Sequence, residues 1–94
     1  MKLSIVLPAF NEEEAVGGVL EGCLRDAEHI KNEAGLDDVE VIVVNDGSTD
    51  RTQEIVRSYP DATLVNHEKN MGYGRALKTG FERASGELLA FLDA

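Results

Sequence analysis

Apolar and polar positions keep two different rhythms along the chain. Ser4–Leu7 ("SIVL") is a short β-branched run closed by Pro8, which predicts a first strand. From Asn11 the period lengthens. Val16, Val19, Leu20, Cys23, Ala27 and Ile30 recur at spacings of three and four, the stripe of an amphipathic helix. Asn11 followed by Glu14 predicts its N-cap, the run Glu12–Glu14 suits the positive end of the helix dipole, and Gly35 ends it. Val39–Val44 ("VEVIVV") is the strongest strand signal. Its near-continuous apolar character predicts a parallel strand buried on both faces. "NDGSTD" then turns the chain, with Asp50 and Gln53 predicted to open a short helix through Ser58 that Pro60 breaks. Thr63–Asn66 reads as a weaker third strand. Gly72–Ala84 carries Ala76, Leu77, Phe81 and Ala84 on one helical face, and Leu88–Leu92 is a fourth strand.

The resulting order, β-α-β-α-β-α-β, predicts an α/β fold, a Rossmann-like parallel sheet flanked by helices. In such sheets ligands bind beyond the carboxyl ends of the strands. Those ends are "PAFNEE", "NDGSTD", "NHEKNMGYG" and "DA", and most polar residues without a packing role fall there. In "VNDGSTD", turn and capping chemistry accounts for Gly47 and Asp50. It accounts less well for Asp46, a carboxylate placed to accept hydrogen bonds from a base or ribose. Gly72 and Gly74 precede a helix, where free amides can meet phosphate. However, Leu77 breaks the G-x-G-x-x-G pattern, and no phosphate-binding G-x-x-x-x-G-K-[ST] element is present. Arg75 and Lys78 near that helix start are read as solvated cations that could meet phosphate. His29 reads as a surface residue. His67, at the end of the third strand, has slightly more claim to the site.

Composition narrows the picture. The 94 residues are room for one small domain, and 43% hydrophobic with 29% charged residues is the balance of an ordinary soluble globular chain. Eighteen acidic residues against nine basic ones, a net charge of −9, argue against nucleic acid as a partner. No apolar stretch reaches the ~20 residues of a membrane span. "MKLSIVLPAF" lacks the cleavage pattern of a secretory leader. Cys23 is the only cysteine and falls on an apolar helical face, so a cytoplasmic location is expected.

Taken together and in order, "SIVLPAFNEE", "VIVVNDGSTDRT", "NMGYGRALKTGFERASGE" and "LLAFLDA" resemble the N-terminal half of a family-2-type glycosyltransferase. The nearest branch is that of dolichol-phosphate mannose and glucose synthases, and the resemblance covers essentially the whole chain. It implies the first half of a glycosyltransferase A-type fold, one domain over residues 1–94 that holds the nucleotide of a GDP- or UDP-sugar. Pro8, Ala9, Asn11 and Glu12 match the first donor-binding loop, and Asp46 matches the acid that meets the nucleobase. The family often has a second acid just before it, where this chain has Asn45. Gly72, Tyr73 and Arg75 match the phosphate-side segment, with Tyr73 where the family often carries lysine. Asp93 matches the first acid of the D-x-D motif that holds Mg²⁺ or Mn²⁺ against the diphosphate.

The same resemblance implies an inverting hexose transfer to a lipid phosphate or another acceptor. The second acid of the motif would follow Ala94, so these residues alone are expected to bind nucleotide weakly and transfer nothing. A different class of reading is a non-enzymatic module that self-associates. The resemblance sets the fourth strand beside the first, and "ELLAFL" would then form an apolar edge without proline or lysine to blunt it. A two-fold pairing of these edges would send the two ligand sides in opposite directions. A receiver-like phosphoacceptor domain would need an aspartate after the third strand, where "VNH" offers none.

Overall fold

The computed structural model describes residues 1–93. Four parallel strands, β1 (Lys2–Ala9), β2 (Asp38–Asp46), β3 (Ala62–His67) and β4 (Leu88–Phe91), form one sheet in the order β3-β2-β1-β4. Three helices connect them: α1 (Val16–Ala34), α2 (Thr52–Arg57) and α3 (Tyr73–Arg83). The chain steps outward from β1 through β2 to β3, then returns past β1 to place β4. Because parallel crossovers are right-handed, reversing direction puts the returning helix on the opposite face. The core divides accordingly. Ile5, Leu7, Val41 and Val43 face α1 and α2, packing with Val16, Leu20, Cys23, Ala27 and Val56. The alternate residues Val6, Ile42, Val44 and Val65 face α3 and pack with Ala76. Each fully buried Val, Leu or Ile contributes about 1.5–3 kcal/mol relative to exposure.

Several boundaries differ from the expectations above for physical reasons. β1 runs through Pro8 to Ala9. The Val6 carbonyl accepts the Leu92 N–H at 3.0 Å on the β4 side. Pro8, two residues on, therefore turns its missing N–H to that same side, beyond the last β1–β4 pair, Val6 with Phe91. No ladder bond is lost there. Asn11 is not the N-cap of α1. It has φ 50°, a left-handed conformation that asparagine tolerates, and α1 begins only at Val16 after a turn in which the Glu12 carbonyl accepts from Ala15 and Val16. Gly35 does end α1, with φ 65° and its N–H on the Lys31 carbonyl. Ile30 lies outside the core, exposed at the far end of the stripe. The N-cap of α2 is Arg51, without a side-chain cap bond; Asp50, one residue earlier, accepts the Thr52 N–H through Oδ1 at 2.9 Å, whereas Gln53 has no such part.

At the amino ends of the strands, fully buried Ser4 closes the sheet. Its hydroxyl donates to Glu40 Oε1 at 2.6 Å and accepts the Gly86 N–H at 2.8 Å. The segment "SGE" is thus the anchor that starts β4 against β1. β4 itself is an edge strand, and Leu88, Leu89, Phe91 and Leu92 are exposed along it.

Gly80 sits where α3 crosses β1 and β2. A Cβ there would lie 2.2 Å from Val6 Cγ1 and 3.2 Å from Val44 Cγ2. Gly18 of α1, by contrast, has nothing within 4 Å of a Cβ. Urea unfolding should therefore move in opposite directions. Gly80→Ala lowers stability by about 1–3 kcal/mol through overpacking, and Gly18→Ala raises it by about 0.5–1 kcal/mol through helix propensity.

Candidate functional site

The strand order reverses between β1 and β4, and the crevice this leaves at the carboxyl ends is a cleft of about 420 Å³. β1 and the loop after it supply Pro8, Ala9, Phe10 and Glu12. Asp46 comes from the end of β2, Asp93 from the residues after β4, and Asn70, Gly72, Tyr73 and Ala76 from the start of α3. Asn11 and Arg75 do not line it, and Arg75 is exposed on α3. Phe10 and Asn70 were not singled out from the sequence, and Ala76 was read only as part of the apolar face of α3. Phe10 is 43% exposed, so its ring borders the cleft rather than filling the core.

The loop after β2 works chiefly on the loop after β1. Ser48 Oγ accepts the Asn11 N–H at 3.0 Å, and Asn11 Oδ1 accepts the Thr49 N–H at 2.8 Å. Thr52 Oγ1 accepts the Glu12 N–H at 2.9 Å, and Asp50 Oδ2 accepts the Glu13 N–H at 3.1 Å. The Ser48 and Thr49 hydroxyls are spent holding the first loop in place. Gly47 adds a close approach from the other side. With φ 74°, it lets the backbone of Lys69 and Asn70 come so near that a Cβ would lie 2.3 Å from the Asn70 nitrogen.

Asp46 is 3% exposed and its carboxylate gathers three donors. Oδ1 takes His67 Nδ1 at 2.7 Å and the Met71 N–H at 2.9 Å, and Oδ2 takes the Gly72 N–H at 3.0 Å. A carboxylate has about four acceptor positions; among the described residues Oδ2 takes a single donor, and Asp46 lines the cleft. The Gly72 amide, a candidate for phosphate, is already committed to Asp46. Burial works to raise the Asp46 pKa, but the bonds from His67, Met71 and Gly72 outweigh it and hold the group below its ordinary value. Asn45, where the family often has an acid, is buried. Its Nδ2 donates across the ladder to Asn66 Oδ1 at 2.9 Å, and its own Oδ1 accepts the Ser48 N–H at 3.3 Å. The Tyr73 hydroxyl donates to Asp93 Oδ1 at 2.6 Å, a bond that raises the phenol pKa and bridges α3 to the end of the sheet.

His67 is the residue that sequence reasoning underrated. The register sets Val44 opposite Val65, Asn45 opposite Asn66 and Asp46 opposite His67. The matching tails "VND" and "VNH" were the signal that could have paired them. No group of three or more His, Cys, Asp or Glu side chains able to hold a metal occurs among the described residues. Asp93, exposed and with Oδ2 uncommitted among the described residues, offers one hard oxygen ligand. That fits a cation bound mainly by a substrate's phosphates, as Mg²⁺ often is.

The model of glycosyl transferase family 2 matches residues 4–94. The chain belongs to glycosyltransferase family 2. Among its relatives in the family, a dolichyl-phosphate beta-glucosyltransferase of Trichomonas vaginalis is 38% identical, the match covering 98% of this chain and 30% of that protein. A prophage bactoprenol glucosyl transferase homolog of Escherichia coli is 34% identical, over 99% of this chain and 30% of that protein. The chain thus spans about 30% of the length of these family members. Among solved structures, Staphylococcus aureus TarS superposes with TM-score 0.81 at 32% identity, covering 99% of this chain and 27% of that one. A Pyrobaculum calidifontis mannosyltransferase in complex with GDP-Man and Mn²⁺ superposes with TM-score 0.79 at 28% identity, covering 97% and 26%. These likenesses bear out the parallel, glycosyltransferase A-type sheet expected from the sequence. No helix among the described residues is long and apolar enough to cross a membrane.

Because the folded-state pKa of Asp46 lies below its unfolded value, its stabilising contribution is complete above the ordinary carboxylate pKa of about 3.9. It is lost as pH falls through the lower folded value. Asp46→Asn should therefore cost about 2 kcal/mol or more at pH 7. The gap between variant and wild type, read by urea unfolding, should shrink as pH falls below about 4.

Proposed function

We infer that this chain is the donor-nucleotide-binding half of an inverting glycosyltransferase that moves a hexose from a UDP- or GDP-sugar to a lipid phosphate or another acceptor. The observation that carries the reading is the cleft at the strand-order reversal, whose walls come from all four strand ends. Its chemistry suits a nucleoside diphosphate. Oδ2 of Asp46 can accept an N–H of the base, and Phe10 offers a π face for it. Pro8, Ala9 and Glu12 border the base and ribose. Tyr73 and Asp93 lie on the far wall, where the diphosphate would reach, and exposed Arg75 follows Tyr73 by two positions on α3. Structural neighbours that bind UDP with Mn²⁺ or GDP-Man with Mn²⁺ support both the ligand class and the cation. When bound, Mg²⁺ or Mn²⁺ would neutralise the charge of the departing diphosphate, with Asp93 as one of its ligands. The reading carries a cytoplasmic location and no catalytic base within these residues, so the 94-residue chain alone should bind without transferring sugar.

The exposed apolar edge of β4 favours a second reading, self-association through that strand. Titration calorimetry with UDP and with GDP, each with Mn²⁺, separates the two. Saturable binding of one nucleotide that weakens on Asp46→Asn supports the nucleotide reading. No heat with either nucleotide, alongside a dimer in light scattering, would replace it with the second.

A further inference from the structure

His67 does work that neither the family membership nor the cleft lining assigns to it. It ends β3 directly opposite Asp46 in the sheet register, and its side chain is only 9% exposed. Nδ1 lies 2.7 Å from Asp46 Oδ1, and Nε2 lies 2.8 Å from Thr79 Oγ1 on α3. The ring is therefore braced at both ends, once by the sheet and once by the helix that packs over it. It does not line the cleft. Asp46, which does, holds the Met71 and Gly72 amides where α3 begins. Tyr73, next in the chain, reaches Asp93.

We propose that His67 is the positioning residue of the nucleotide cleft, fixing the Asp46 carboxylate so that it holds the Met71–Gly72 turn and turns Oδ2 to the ligand. An ionised carboxylate only accepts hydrogen bonds, so Nδ1 carries a proton and donates to Asp46. Nε2 meets the Thr79 hydroxyl, which can donate or accept, so both ring nitrogens are satisfied in one orientation. Without the brace Asp46 retains the two backbone donors but loses the side-chain contact that selects its rotamer. The site would then pay in ligand affinity what it lost in rigidity. The ligand half of this proposal rests on the nucleotide reading above.

The test compares His67→Asn, whose amide can stand where Nδ1 stands, with His67→Leu, of similar size but without a donor. His67→Gln, which reaches toward Thr79 instead of Asp46, is the third variant and replaces the leucine if that one does not fold. Amide spectra of the nucleotide-free chain should show Met71 and Gly72 unmoved in His67→Asn and shifted in the other two, and Nδ1 of wild-type His67 should carry a proton. In calorimetry with UDP and with GDP, each with Mn²⁺, the affinity of His67→Asn should stay within about threefold of wild type, while the loss of one hydrogen bond to a charged group predicts that His67→Leu and His67→Gln weaken about tenfold or more. A purely structural role would instead make affinity follow the unfolding midpoints, on which all three variants lose part of the brace. Unmoved Met71 and Gly72 amides in a folded His67→Leu or His67→Gln would overturn the positioning claim. If the wild-type chain binds neither nucleotide, the nucleotide reading fails, and the amide spectra still decide whether His67 positions Asp46.

Discussion

The ionised carboxylate of Asp46 ties together the end of β2, the end of β3 and the turn that starts α3. It stands at the end of β2, almost fully shielded from water, with no lysine or arginine bonded to it among the described residues. A charge in that position persists only because donors surround it. Those donors come from β3 and from the turn that starts α3. The same group therefore finishes the sheet and sets where α3 begins. From there the Tyr73 hydroxyl reaches Asp93, so that both walls of the cleft are placed relative to one buried charge.

Topology makes this position valuable. Right-handed crossovers put α1 and α2 on one face and α3 on the other, and the loops part company between β1 and β4. A crevice at such a point is open by construction and needs walls that do not move. The first loop gets its rigidity from Ser48, Thr49, Asp50 and Thr52, whose side chains and amides cross-link it to the second. The third gets it from Asp46 and from the close approach at Gly47. Polar residues gathered at a ligand edge thus divide into those that build the edge and those left to meet a ligand. Most of "NDGSTD" belongs to the builders.

That division explains what the sequence could and could not disclose. The sheet and helices were legible because "VEVIVV" and the Val16–Ala27 stripe have unambiguous periods, and the order of elements admits few topologies. The cleft was legible as an edge, and Pro8, Ala9, Glu12, Asp46, Gly72, Tyr73 and Asp93 do converge on it. The helix start at Asn11 was misread because an asparagine before glutamates signals a cap equally well as a left-handed turn. Only the partner loop, through Ser48 and Thr49, decides between them. His67 was underrated because its importance is a matter of register between two strands, which no local pattern states. The use of Gly72 as a donor to Asp46, twenty-six positions away, is likewise a tertiary fact.

The central claim is that the carboxyl edge of this sheet is a nucleoside-diphosphate site. Mapping amide shifts of the chain during titration with UDP or GDP and Mg²⁺ tests it most directly, since the map reports location as well as binding. A nucleoside-diphosphate site there predicts saturable shifts concentrated at residues 8–12, 46, 70–76 and 93, with the strand starts around Ser4, Glu40 and Gly86 unaffected. Shifts gathered at those strand starts or along β4, or none at saturating nucleotide, would contradict it.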